Sequence, residues 1–394
     1  MICEPPPLTR SNRGRRFTLD GSEALESRLE ETCQRVLEGV RALVPDEKLD
    51  GLVLGGGYGR GEGGVLSTPS GDLPYNDLEF YVFVRGNNLL NERGYRRALH
   101  QLGEELSSDA GVEIEFKVLS LSKLRRNPTT MYFYDLVTAH RWIRGDDRLL
   151  AGCERHSDPT NIPMSEAARL MMNRCAGLLF ARERLRQDHF TSDDADFVGR
   201  NIAKAQLAFG DAVLAALGQY HWSCRERHRL LEQLAAIKNF CWMPDVLENH
   251  AIGVKFKLRP QRSTASRLLL LEEHEKVSSL GLQVWLWLEN MRLRYDFKSA
   301  FDYALSSINK CPETNPCRNL GMNLLQFRSA CLSVRKLVRH PRETLFNSLP
   351  LLLWEHGARA VLESPSGRNV EPGAAERGEA DSVRAFKRLW AQFN

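Results

Sequence analysis

Residues 52–83 read LVLGGGYGRGEGGVLSTPSGDLPYNDLEFYVF. Leu52, Val53 and Leu54 make a short apolar run with strand character. Gly55, Gly56, Gly57, Gly59 and Gly61 then crowd one turn, and a polar stretch containing Pro69, Gly71 and Pro74 leads to a second strand that opens Asn76-Asp77-Leu78-Glu79-Phe80. Side chains alternate faces along a strand, so Asp77 and Glu79 project together while Leu78 and Phe80 point the other way. Two carboxylates held side by side repel unless a positive charge neutralises them, and a hard divalent cation with oxygen ligands is the usual neutraliser.

A second alternating stretch, Val112 to Val118, places Glu113 and Glu115 on one face. If it lies beside the first strand, three acidic groups converge on one or two Mg²⁺ (or Mn²⁺) ions. In-line transfer at phosphorus needs that arrangement: metal ions clamp the attacking and leaving oxygens, and a carboxylate accepts the acceptor hydroxyl's proton. The glycines let backbone N–H groups come close to phosphate oxygens, and Arg60 can add a charge-assisted fork.

At these residues the chain resembles the polymerase-beta-type nucleotidyltransferases, including the minimal and aminoglycoside-type members. Gly56-Gly57-Tyr58-Gly59-Arg60-Gly61 looks like the family's turn, Asp77-Leu78-Glu79 like its metal pair and Glu115, with Glu113 as the alternative, like its third carboxylate. The resemblance implies transfer of a nucleoside monophosphate from a nucleoside triphosphate, ATP being the expected donor, with pyrophosphate leaving. It covers about Leu52 to Leu119. Gly57 stands where many members carry a phosphate-binding serine, Glu79 where aspartate is commoner, and the segment from Gly57 to Asp77 is longer by about one loop.

Other phosphate-binding readings fit less well. Gly59 to Gly64 matches G-x-G-x-x-G, but a dinucleotide fold needs a helix to open there and run on, and Pro69, Gly71 and Pro74 oppose one. The chain has no Gly-Lys-Ser/Thr, which excludes a P-loop.

A chain of 394 residues is long enough for two domains with sizeable cores. A net charge of +4 is too mild to imply nucleic acid by itself. The 9 cysteines are scattered without a repeated close spacing, as free thiols in a reducing compartment would be, and a cytoplasmic setting is expected. No stretch of about 18–20 apolar residues is present, so no membrane span is expected.

Along the chain, residues 1–20 read as a disordered basic arm. Ser22 to Val44 has Leu25, Leu29, Cys33, Val36 and Val40 at helical spacing behind a serine N-cap. A further helix is expected around Tyr95 to Leu106. The expected fold class is α+β: by the resemblance, a small mixed-sheet nucleotidyltransferase-like core over 21–155, followed by a predominantly α-helical domain over 160–362. Lys123, Arg125, Arg126, Arg141 and Arg144 form a basic segment after the third strand, and Val254 to Arg267 forms a second, read as a loop. Residues 363–381, rich in Pro and Gly, read as a flexible linker, and 382–394 as a terminal helix docking on its own domain.

By resemblance to the helical partner domain of several such enzymes, Lys204 is a candidate to reach donor phosphates and Tyr220 to stack on the base. With Gly56, Gly57, Tyr58 and Arg60 they form the expected nucleotide-binding set. Two functions follow: an active Mg²⁺-dependent nucleotidyltransferase whose acceptor is a small molecule, a protein or an RNA, or a binding or regulatory protein that keeps the fold but turns over poorly.

Overall fold

The computed structural model describes residues 16–238, 240–325, 337–355 and 372–393, with no side-chain description for 372–380. Residues 1–15, most of the expected basic arm, and 363–371, half of the expected linker, lie outside it. The chain is α+β, a four-stranded mixed sheet with its helices and a larger set of helices.

It divides into two compact units. The first comprises 1–166, 214–239 and 250–262, and the second 167–213, 240–249 and 263–394. The expected boundary near residue 160 therefore marks only one crossing between units. Two later segments return to the α/β unit because charged groups buried there find their partners on them, as described below.

In the first unit, α1 (Glu23–Leu43) starts at Ser22, whose Oγ accepts from Leu25 N, and buries Leu25, Leu29, Cys33, Val36 and Val40. Strand β1 (Leu49–Leu54) leads into the short helix α2 (Gly56–Arg60). The polar stretch after it, expected to be irregular, is a hairpin of β2 (Val65–Thr68) and β3 (Gly71–Pro74). Then come β4 (Leu78–Val84), α3 (Asn88–Ala110), β5 (Ile114–Leu119), α4 (Leu121–Arg126), α5 (Met131–Thr138) and β6 (Arg141–Arg144). Helix α3 begins earlier than the apolar spacing implies because Asn87 Oδ1 accepts from Leu89 N and Leu90 N.

The sheet order is β5-β4-β1-β6, with β4 and β5 parallel and β1 antiparallel to both its neighbours. Parallel neighbours need a crossover, which α3 supplies. One face, with Leu52, Leu54, Leu78, Phe80 and Val82, forms a core with α1 and α3 residues. The other buries Val53, Tyr81, Phe83 and Leu119 with Leu124, Phe133, Leu136 and Trp142. Asp77 and Glu79 share the parity of Tyr81 and Phe83, so the carboxylates stand at the upstream end of this second face.

The basic segment after β5 is largely structural. Arg125 donates to the carbonyls of Leu149 and Ala151, and Arg141, 5% exposed, stacks 3.7 Å from the Phe17 ring centroid. Val254 to Arg267 is not simply a loop: the helix Met243–Leu258 covers its first part. Arg259 pairs with Asp20 and reaches Asp72 and Ser67.

In the second unit, Trp285 lies edge-on to Tyr303 and Trp354, and Glu289, Arg292, Tyr303 and Lys310 form a buried charged cluster. Burial pushes the Lys310 ammonium down to about 8 despite Glu343 and Glu289, and its Nζ lies 4.5 Å from the Tyr303 ring centroid. The last helix spans Pro372–Trp390, ten residues longer at its start than the Ser382 onset expected. It docks on its own unit, as anticipated: Phe386 and Trp390 meet Phe180 at 6.2 and 5.4 Å between centroids. Among the described residues no helix is long and apolar enough to cross a membrane.

Candidate functional site

The parallel register sets Leu78 beside Ile114 and Glu79 beside Glu115. Asp77 lies on the same face just before β4, so three of the expected carboxylates share one face. Glu115 is the third member: its charge, with that of Glu79, acts on Asp77, and its Oε2 is 3.6 Å from the lysine that binds Glu79. Glu113, the alternative, is exposed one step before β5, and its carbonyl accepts from Leu78 N.

That lysine, Lys117, was not among the expected residues. Its Nζ donates to Glu79 Oε2 at 3.0 Å and lies 5.7 Å from the ring centroids of both Tyr81 and Tyr132. Tyr81 Oη donates to the same Glu79 oxygen at 2.6 Å. Burial alone would raise the Glu79 carboxyl, but Lys117, with Tyr81 and Arg60, holds it below its ordinary value. Asp77 reaches solvent, yet the protein around it and the charges of Glu79 and Glu115 push its carboxyl up. Among the described residues no three His, Cys, Asp or Glu side chains converge as a ready metal cage. Lys117 supplies a positive charge to Glu79 and Glu115.

The glycine turn abuts these groups. Gly55 N donates to Glu79 O at 2.9 Å, and Gly56 adopts φ +61°, where a side chain would be strained and its Cβ would stand 3.5 Å from Glu79 Oε1. Gly57 accepts from Glu62 N, and a Cβ on it would stand 3.0 Å from Glu62 O. The serine common in the resembling family therefore does not fit without moving the loop. Gly57→Ala is expected to cost about 1–3 kcal/mol as an overpacking change, read as a lowered urea midpoint with an unchanged denaturant slope; an unaltered midpoint would show that the turn relaxes freely.

Three of the expected nucleotide-binding side chains have structural occupations. Tyr58 is 1% exposed; its Oη donates to Gly64 O at 2.7 Å and accepts from Tyr75 N at 2.9 Å. Arg60, 8% exposed, pairs with Asp135 Oδ2 at 2.5 Å. Tyr220, also buried, belongs to the same unit. Its Oη lies 3.5 Å from Asp135 Oδ2, its ring meets Tyr134 edge-on, and the Arg227 guanidinium is 5.0 Å from its centroid. It is a packing residue without a free face for a base. Lys204 is exposed on the helix Ser192–Ala216, in the second unit.

Glu62 is the other residue the sequence reading passed over. It is 4% exposed, its Oε2 accepts from Cys224 N at 2.9 Å and its Oε1 from the Ser223 hydroxyl, at the start of the helix Cys224–Ile237. Burial would raise its carboxyl, but these hydrogen bonds and Lys257 hold it below its ordinary value. Such a group binds its proton later in the folded than in the unfolded chain. The stability it contributes is present above the ordinary glutamate value of about 4.3 and is lost as the pH falls from there through the folded value. Urea midpoints between pH 6 and 3 should fall less steeply in Glu62→Gln than in the wild type; parallel acid limbs would remove Glu62 from that role.

No protein-family model matches the chain, and neither the curated proteins nor the solved structures contain a match.

Proposed function

We propose that the protein is a nucleotidyltransferase, moving a nucleoside monophosphate from a nucleoside triphosphate, with ATP as the expected donor, to a hydroxyl acceptor. The observation that carries this reading is the register that sets Glu79 beside Glu115 with Asp77 on the same face. Three carboxylates are a hard oxygen donor set of the kind that suits Mg²⁺ or Mn²⁺, and Asp77, Glu79 and Glu115 would hold it. Bound there, the metal would neutralise charge developing on the phosphoryl oxygens.

The chain's own groups have definite parts in such a transfer. Lys117, which pairs with Glu79 and Glu115, is the charge that a cation held by these carboxylates would have to replace. A carboxylate of this set, Asp77 being the one that reaches solvent, takes the proton of the acceptor hydroxyl as the new oxygen–phosphorus bond forms and the bond to the pyrophosphate leaving group breaks. The scattered thiols favour the cytoplasm as the setting.

A second reading has its own observation. With Lys117 neutralising Glu79 and Glu115, the fold has no standing need for a metal, which favours a nucleotide-binding or regulatory protein that turns over poorly. Incubation with α-labelled ATP, CTP, GTP and UTP in turn, with Mg²⁺ or Mn²⁺ and cell extract as the acceptor source, separates the two. Label passing into a product, with pyrophosphate released, supports transfer. Label bound without turnover supports the second reading, and absence of both would defeat each.

A further inference from the structure

We propose that the groove along the outer edge of β5 binds the anionic end of the acceptor, which is therefore a small hydroxyl compound carrying a phosphate or carboxylate. The proposal rests on the transfer reading for the word acceptor, but its binding claim stands on the groove itself. β5 is an edge strand, and its odd-numbered residues bond to β4: Glu113 O accepts from Leu78 N. The even-numbered residues consequently turn their N–H and C=O groups outward. Ile114 N is satisfied by Ser107 Oγ and Ser120 N by Asn88 Oδ1, whereas the N–H groups of Phe116 and Val118 have no acceptor among the described residues. Two parallel donors are thus left at the middle of the edge.

A cavity of about 270 Å³ opens at that edge, lined by Phe116 to Leu119 and by Arg96, Lys117 and Lys123. Arg96 and Lys123 have no acidic partner among the described residues. Tyr132 and Phe133 wall the cavity with rings, and Glu92 is its one carboxylate, able to accept from a hydroxyl. Arg96 and Lys123, with two outward N–H groups that alternate with carbonyls and a single lining carboxylate, favour an anion here, since ammonium, guanidinium and backbone donors all suit phosphate or carboxylate oxygens. Lys117 belongs both to this cavity and to the carboxylate face, where it binds Glu79, so an anion held there is adjacent to the Asp77–Glu79–Glu115 set. At roughly 30 Å³ for each water-sized volume, the cavity holds about nine such units, the size of a short phosphorylated polyol.

Calorimetric titration of the full chain with glycerol 3-phosphate, and with glycerol as its neutral counterpart, tests this without nucleotide or metal. Glycerol 3-phosphate should bind at least ten-fold tighter than glycerol. Lys123→Met and Arg96→Met, both solvent-accessible and without ion pairs to lose, should each weaken that binding several-fold while leaving the thermal midpoint unchanged. Equal binding of the two probes, or unaltered affinity in both variants, would overturn the site. Binding of glycerol 3-phosphate by a protein that never transfers label would uphold the groove and defeat the transfer reading. Labelled transfer to acceptors by a protein that ignores glycerol 3-phosphate would do the reverse.

Discussion

Replacing Arg60 with leucine is expected to cost about 3 kcal/mol of stability, the low end of the range for breaking a buried ion pair. The guanidinium is 8% exposed and meets Asp135 at 2.5 Å, while Asp135 keeps 23% of its side-chain surface in solvent, and that partial hydration limits the penalty. Loss of Arg60 leaves the Asp135 carboxylate among Tyr220, Tyr134 and Arg227, a cluster that also joins the α/β unit to residues 220–227. With a denaturant slope of about 3 kcal/mol/M, the urea midpoint should fall by about 1 M.

A double-mutant cycle with Asp135→Asn should return most of that cost as coupling energy. An Arg60→Leu variant within about 0.5 kcal/mol of the wild type, but with a raised nucleotide KM, would instead restore Arg60 to the phosphate-binding role that its place in the glycine turn suggests. Arg60→Lys should not rescue stability, because a point charge on a flexible stem does not reproduce the guanidinium fork.

That reversal of role shows which parts of the molecule the sequence discloses. Period-two alternation at Asp77–Phe80 and Val112–Val118 is a local signal, and it correctly separates the carboxylates from Leu78 and Phe80. Choosing Glu115 over Glu113 needs the relative register of two strands separated by α3, which alternation does not provide. Lys117 was readable in principle, since it shares parity with Glu113 and Glu115 and so must share their face. The partners of Arg60 and Glu62 had no local signature: they lie 75 and 161 residues away, and burial alone makes them structural. The same holds for residues 214–238, whose helical spacing announces a helix but not the unit it joins. Strand β6, four residues with an arginine at each end, resembles a solvated basic segment until β1 pairs with it.

Asp77→Ala combined with Glu79→Ala should abolish transfer, by at least about 10³-fold, while the protein stays folded. If these carboxylates hold a cation, their loss removes the several kcal/mol by which it would stabilise developing charge, and each 1.36 kcal/mol is a factor of ten in rate. The cost in stability should be about 2–4 kcal/mol, since Asp77 is exposed but Glu79 gives up the hydrogen bonds from buried Tyr81 and from Lys117, the latter charge-assisted. Unfolding of the double variant would mean that these groups support the core and would count against the site. Lys117→Met separates the two functional readings from the other side. If Glu79 and Glu115 serve a metal, removing the competing ammonium leaves two uncompensated carboxylates, and Mn²⁺ should bind about ten-fold tighter by calorimetry, an effect lost when Asp77→Ala and Glu79→Ala are added. If Lys117 is itself the permanent counter-ion, the variant should lose stability and gain no affinity for Mn²⁺, because the carboxylates would then be spaced for an ammonium and not for a metal.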